Sequence, residues 1–160
     1  MEVRCRPIGP RGGSESWWDA TKDAVARYGF GAKHCFLAVS CAGASTVISY
    51  LGNGVNVVDQ GASSLVKNND TEYSNAGDYK PFSTKGPASS SCSNCNFENC
   101  VSNIARQLQA SNFRIQNYSV IGPNSNSFAH RLVIQCGGSV VGDPGPTGAY
   151  GWYAPWNIHF

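Results

Sequence analysis

Charge is scarce in this sequence. Only 14% of its 160 residues are charged, and the formal net charge is +2. This composition therefore indicates neither a basic field for nucleic acid nor an acidic tail. Long apolar runs are also missing, because no stretch approaches the roughly 20 residues that a membrane-spanning helix needs, and the N-terminus lacks a signal-peptide core. We expect no nucleic-acid partner and no membrane span.

The sequence as a whole is polar and rich in Gly, Ser and Asn, and 41% of its residues are hydrophobic. A chain of this length can bury the core of one domain. Residues 1–13 include Pro7, Pro10 and three glycines, so they are predicted to form an irregular arm. Residues 14–160 are predicted to form a single domain.

The hydrophobic pattern predicts an α+β fold, in which a small antiparallel sheet packs against about three helices. Helical spacing of apolar residues is found in Ser14–Tyr28 and around Cys100. Strands are predicted at His34–Ser40, Thr46–Leu51 and Val55–Val58. Gln60–Ser91 has little periodicity and is predicted to be a loop.

The third helix starts in the most informative stretch, Tyr118 to Cys136. A Gly-Pro break precedes the polar cluster Asn124–Ser127, and apolar residues then recur at helical spacing. Ser and Asn are favoured N-caps, which is one interpretation of the cluster. The other is that Ser125 is a nucleophile, because the positive end of a helix stabilises a developing anion.

This stretch resembles the permuted papain-like hydrolases, which are circularly permuted relatives of the NlpC/P60 peptidases. The resemblance is carried by Tyr118, Asn124, Ser125, Phe128, Ala129, Leu132 and Gly137. The NSNSF form with its Gly/Pro/Trp-rich tail is also similar to domains at the C-termini of bacterial polymorphic and Rhs-type toxins. The resemblance covers Ala32–Ile48 and Tyr118–Trp156 and implies a circularly permuted papain-like fold.

The resemblance implies that Ser125 is the nucleophile and that His34, at the start of an upstream strand, is the base. The nucleophile of the family is Cys, and a hydroxyl depends more than a thiol on a base in contact as its proton leaves. Three interpretations stay open. The chain is a serine hydrolase, a catalytically inactive binding or structural module, or a Cys-to-Ser form of a cysteine hydrolase.

A third group should accept a hydrogen bond from the other nitrogen of His34 and fix its tautomer. Asp59 is our candidate, with Ser49 or a backbone carbonyl as alternatives. His130 is a weaker candidate than His34 for the base that acts on Ser125, because five helical residues turn it away from that side chain.

Three further residues are predicted to bind the substrate: Asn124, Asn126 and Trp152. The implied reaction is hydrolysis of an amide or peptide bond, with peptidoglycan as one substrate class, and it needs no cofactor or metal. A toxin or effector of this kind implies a cognate immunity protein. We expect it to be secreted or delivered without a Sec signal peptide, or otherwise to be cytoplasmic.

Seven cysteines leave at least one that is free or intermolecular. The spacing of Cys92 and Cys95 suits a zinc knuckle, but a structural zinc site needs four ligands. A disulfide among Cys92, Cys95 and Cys100 and free thiols are the alternatives.

Overall fold

The structure is a computed structural model that describes residues 1–7, 33–51, 54–60, 80–87, 95–119, 122–147 and 149–155. Its strands are β1 (Glu2–Pro7), β2 (Lys33–Cys41), β3 (Ala44–Leu51), β4 (Gly54–Gln60), β5 (Lys80–Lys85) and β6 (Ser139–Val140). Its helices are α1 (Asn96–Ala110) and α2 (Ser125–Gln135), and a 3-10 turn spans Gly145–Thr147.

The strands form one antiparallel sheet in the order β4-β3-β2-β1-β5-β6. This confirms the predicted α+β fold. Strands β2, β3 and β4 contain the three predicted strands, and the turn between β2 and β3 is made by Ala42 and Gly43, both with positive φ. Two helices pack on the sheet within the described residues, and the predicted helix Ser14–Tyr28 lies outside them.

The prediction of an irregular N-terminal arm is wrong for Glu2–Pro7, which form β1. This strand lies inside the sheet, between β2 and β5. Val3 and Cys5 are fully buried, in agreement with the alternation of apolar and charged residues in this segment, and pairing with β2 and β5 places the strand inside the sheet. Pro7 is tolerated because it is the last residue of the strand and removes one donor at its end. Residues 8–13 lie outside the described residues.

Strand β5 lies within Gln60–Ser91, so the loop prediction is wrong for Lys80–Lys85. The segment pairs with β1, where Phe82 lies opposite Val3 and both side chains are buried. Its own sequence carries a weak strand signal, because Pro81 cannot donate to a ladder. A partner distant in sequence therefore decides its conformation.

The main core lies between one face of the sheet and the two helices. The helices contribute buried apolar side chains at helical spacing, which are Phe97, Val101, Ala105, Leu108, Phe128, Ala129, Leu132 and Val133. This confirms the predicted apolar faces of both helices. Packing of α2 against β2 and β3 places its N-terminus beside the beginning of β2. Neither helix is long and apolar enough to cross a membrane, within the part of the chain described.

Candidate active site

Helix α2 begins with a side-chain cap at Asn124. Asn124 Oδ1 accepts hydrogen bonds from the backbone N–H groups of Asn126 at 2.8 Å and of Ser127 at 3.3 Å. Ser127 Oγ accepts from the Asn124 N–H at 2.9 Å, which completes a capping box. The predicted helix start at Asn124–Ser127 is confirmed, and Asn124 rather than Ser125 is the capping residue.

The Ser125 side chain takes no part in this cap and instead contacts His34. Ser125 Oγ lies 2.7 Å from His34 Nδ1, although the two residues are 91 positions apart in the sequence. His34 is the second residue of β2. Both side chains are buried, with 5% of Ser125 and 3% of His34 exposed. The structure therefore brings the predicted nucleophile and base into hydrogen-bond contact.

The electrostatic setting of Ser125 is that of a helix N-terminus. Backbone N–H groups in a first helical turn lack intrahelical acceptors and carry the positive end of the helix dipole. The cap engages the N–H groups of Asn126 and Ser127 and not that of Ser125. A negative charge that develops on an oxygen beside Ser125 would be stabilised there.

Asn124 also anchors the C-terminal segment. Its Nδ2 donates to the carbonyl oxygens of Ser119 and Tyr150, both at 3.0 Å. Gly151 follows with a φ of +73°, and a Cβ at this position would overlap the Asn124 amide and the Gly122 carbonyl oxygen. Glycine is thus required at position 151 both for the backbone conformation and for the close approach.

Asn126 is bonded to the protein through all of its amide groups. Its Nδ2 donates to the carbonyl oxygens of Lys33 at 2.9 Å and Tyr150 at 2.8 Å, and its Oδ1 accepts from the Cys35 N–H at 2.7 Å. An asparagine has two amide hydrogens to donate, and Asn124 and Asn126 both use theirs internally. Neither side chain has an amide hydrogen left to donate to a substrate, and their predicted role in substrate binding stays a prediction.

Trp152 lies in the core and is 2% exposed, so its ring offers almost no surface to a ligand. Trp152 thus packs the C-terminal segment onto the core, and its burial gives no support to the prediction that it binds substrate. The ring centroids of Trp152 and His130 are 4.9 Å apart. Burial is the largest influence on the pKa of His130 and lowers it, and the charge of Arg131 lowers it as well. The hydrogen bond to the backbone carbonyl of Trp152 and the charge of Asp143 raise the pKa, but the net shift is downward.

Asp59 lies at the wrong end of the sheet to contact His34. It is opposite Thr46, which in turn is opposite Val39, and His34 lies five residues before Val39. At about 3.4 Å per residue, this places His34 about 17 Å away along the strand. Asp59 instead accepts hydrogen bonds from Arg106 and from Thr46, which hold the pKa of its carboxyl group below the usual value. The structure therefore does not bring Asp59 into contact with His34 and gives no support to its predicted role as the third catalytic group.

Ser49 is the remaining side-chain candidate for the third group. It lies on β3, the strand next to β2, and its side chain is buried. Its Oγ has no hydrogen-bond partner among the described residues. Ser49 and a backbone carbonyl both stay predictions for this role.

Six cysteines form disulfides, which are Cys5–Cys35, Cys41–Cys95 and Cys100–Cys136. Cys95 and Cys100 therefore neither bind zinc nor remain as free thiols, and neither is bonded to another cysteine of the group Cys92, Cys95 and Cys100. The predictions that assigned them these states are wrong. Cys92 lies outside the described residues. The described residues contain no group of three or more His, Cys, Asp or Glu side chains that could hold a metal.

Several groups at the site were missed by sequence reasoning. The Lys33 and Tyr150 carbonyls and the Cys35 N–H are backbone groups, which every residue type supplies and which therefore carry no signal. The Cys5–Cys35 disulfide had a weak signal, because each cysteine lies in a segment with a strand pattern, alternating in β1 and continuously apolar in β2.

The fold and the site together define an α+β domain with a Ser–His pair at a helix N-terminus. The chain matches no family model, no curated protein and no solved structure. The functional argument therefore depends on the geometry of the site.

Proposed function

We propose that this chain is a hydrolase that cleaves an amide or peptide bond with Ser125 as nucleophile and His34 as base. The observation that carries the proposal is the 2.7 Å contact between Ser125 Oγ and His34 Nδ1. It supports the proposal because a serine hydroxyl needs a base within hydrogen-bond reach as its proton leaves. The chain order, His34 before Ser125, is the order that the resemblance to permuted papain-like hydrolases implies.

In the proposed reaction, Ser125 Oγ attacks the substrate carbonyl carbon and its proton passes to His34 Nδ1. This requires the neutral tautomer with the proton on Nε2, so that Nδ1 is the acceptor. The oxyanion of the tetrahedral intermediate is stabilised by the Ser125 N–H and the positive end of α2. His34 then protonates the leaving amine, and a water activated by His34 hydrolyses the acyl ester on Ser125.

The proposed biological role is a bacterial toxin or effector domain that acts on a peptide or peptidoglycan-like substrate and has a cognate immunity protein. This role rests on the resemblance of the NSNSF motif and the tail to polymorphic and Rhs-type toxin domains. The three disulfides support action outside a reducing cytoplasm. We therefore propose secretion or delivery without a Sec signal peptide.

A second candidate function is favoured by the burial of the pair. A substrate carbonyl must reach Ser125 Oγ, yet only 5% of Ser125 is exposed. In a papain-like binding or structural module, the bond between Ser125 and His34 would simply satisfy two buried polar groups. If Ser125 instead replaces a natural cysteine, the same geometry suits a thiolate beside His34.

Active-site labelling with a fluorophosphonate, followed by peptide mapping, separates these candidates. We expect the label on Ser125, and we expect it to disappear in Ser125→Ala and in His34→Ala. Ser139→Ala and His130→Gln are the matched serine and histidine controls, since neither residue contacts the pair, and both should retain labelling. A panel of peptide and peptidoglycan substrates then tests turnover.

A Ser125→Cys variant tested with iodoacetamide completes the design. Hydrolysis that appears only in this variant would identify Ser125 as the replacement of a thiol nucleophile. If neither form is labelled or turns over any substrate, the hydrolase proposal fails and the binding module is favoured.

A further inference from the structure

Asn126 bonds to the backbone on both sides of His34. Its Oδ1 accepts from the N–H of Cys35 at 2.7 Å, and its Nδ2 donates to the carbonyl of Lys33 at 2.9 Å. The side chain is 2% exposed, so water does not compete for these bonds. One amide group therefore holds the two peptide groups that flank the proposed base.

Asn126 contacts the first residues of β2, which do not pair with β3. The β2–β3 ladder ends at Leu37, whereas the β1–β2 ladder continues to Lys33. Backbone polar groups that are buried at such a place need partners, because leaving them unpaired costs free energy. Asn126 supplies these partners at Lys33 and Cys35 in the way that a neighbouring strand would.

Asn126 is also fixed relative to Ser125, because it is the next residue in the first turn of α2. Its own N–H donates to Asn124 Oδ1 at 2.8 Å, so the backbone of this turn is held by the cap. Besides the direct contact between the two side chains, the Ser125 backbone is thus linked through the Asn126 amide to the peptide groups on both sides of His34.

We propose that Asn126 is a positioning residue that sets the distance between His34 Nδ1 and Ser125 Oγ, an inference that rests on the proposed hydrolase function. Asn126 has no amide hydrogen left for a substrate, since the second one goes to the Tyr150 carbonyl. Its role is to hold the beginning of β2 against the beginning of α2. Without this clamp, the Lys33 carbonyl and the Cys35 N–H lose the bonds that keep the backbone around His34 in register with Ser125.

The rate constant and the apparent affinity of fluorophosphonate labelling give the first test. In Asn126→Ala, the inactivation rate constant should fall about 10- to 100-fold, because a misplacement of about 1 Å has effects of this size. The apparent affinity for the probe should stay unchanged, because Asn126 does not contact it.

Ser127→Ala is the matched control for this variant. It removes the capping-box hydroxyl of the same helical turn but leaves all three bonds of the Asn126 side chain in place. It should lower stability while the inactivation rate constant of the folded protein stays close to that of the unsubstituted chain. If Asn126→Ala labels as fast as Ser127→Ala at a temperature where both are folded, the positioning role is refuted.

The ¹⁵N NMR shifts of the His34 imidazole give a readout that does not require activity, with His130→Gln used for assignment. In the unsubstituted chain we expect one tautomer with Nδ1 accepting, and in Asn126→Ala a mixture of tautomers. If the unsubstituted chain is not labelled but this shift change occurs, the proposed hydrolase fails and the clamp stands as a structural device. Unchanged shifts in Asn126→Ala would overturn the clamp, whether or not labelling occurs.

Discussion

Removing two of the disulfides separately tests whether the β1–β2 junction, where the Cys5–Cys35 bridge joins the two paired strands, positions His34. The variants are Cys5→Ala/Cys35→Ala and Cys100→Ala/Cys136→Ala. The two bridges have sequence separations of 30 and 36 residues. The loop-closure model gives an entropic loss of about 3.6 kcal/mol for the first and about 3.8 kcal/mol for the second. The two variants are therefore closely matched in their effect on the unfolded chain.

Their effects on the native site should differ, because the bridges lie at different distances from it. Cys35 follows His34, and its N–H donates to Asn126 Oδ1. Cys136 is the C-cap of α2, about 16 Å from Ser125 at about 1.5 Å per residue. Cys5 and Cys35 are also fully buried, so their replacement adds a loss of packing.

Denaturant unfolding and the rate of fluorophosphonate labelling are the two measurements, with intact mass used to show that the remaining disulfides have formed. We expect both variants to lose about 4 kcal/mol of stability, and the Cys5/Cys35 variant somewhat more. Labelling of the folded protein should slow by roughly tenfold only in the Cys5/Cys35 variant. Equal labelling rates in the two variants would refute the view that the β1–β2 junction positions His34.

Three further predictions concern residues around the site. Because burial lowers the pKa of His130 in the folded state, the unfolded chain binds more protons as the pH falls below about 6.5, so stability should fall there. The melting temperature of His130→Gln should not show this loss at low pH. If the melting temperatures of the variant and of the unsubstituted chain fall in parallel with pH, the prediction is contradicted. Asp59→Asn should leave labelling unchanged. It should lower the free energy of unfolding, measured with denaturant, by less than about 1 kcal/mol, since the ion pair of Asp59 with Arg106 is exposed. Slower labelling in this variant would mean that Asp59 does act in the catalytic site. Gly151→Ala should cost at least about 1 kcal/mol and slow labelling. Gly43→Ala is its control, because it also has positive φ but open space around it, and an equal effect on labelling would exclude the predicted overlap.

Local sequence signals were enough to predict the elements that carry the site. The Asn-Ser-Asn-Ser cluster before an apolar helical stripe predicted where α2 begins, because capping chemistry acts within one helical turn. The apolar, β-type segment after His34 predicted β2, and residues 34–39 are all buried there, so the strand is identified by its continuous apolar run and not by alternating burial. The resemblance then singled out Ser125 and His34, which the structure brings into contact.

The role of the neighbouring polar side chains could not be predicted in this way. Asn124 and Asn126 have the same chemistry in a substrate site as in a cap or a clamp, and only their partners distinguish these uses. Asp59 lies on a strand adjacent to β3, but the register of two ladders decides how far along the sheet it is from His34.

The sequence by itself thus determined helices α1 and α2, strands β2 to β4 and the place of a candidate nucleophile at a helix N-terminus. The tertiary structure alone decided that β1 enters the sheet, which cysteines pair, and that the Asn126 amide holds the peptide groups beside His34. The physical reason is range. Capping and hydrophobic periodicity act between residues a few positions apart, whereas strand pairing, disulfides and buried hydrogen bonds join segments whose separation in sequence leaves no local mark.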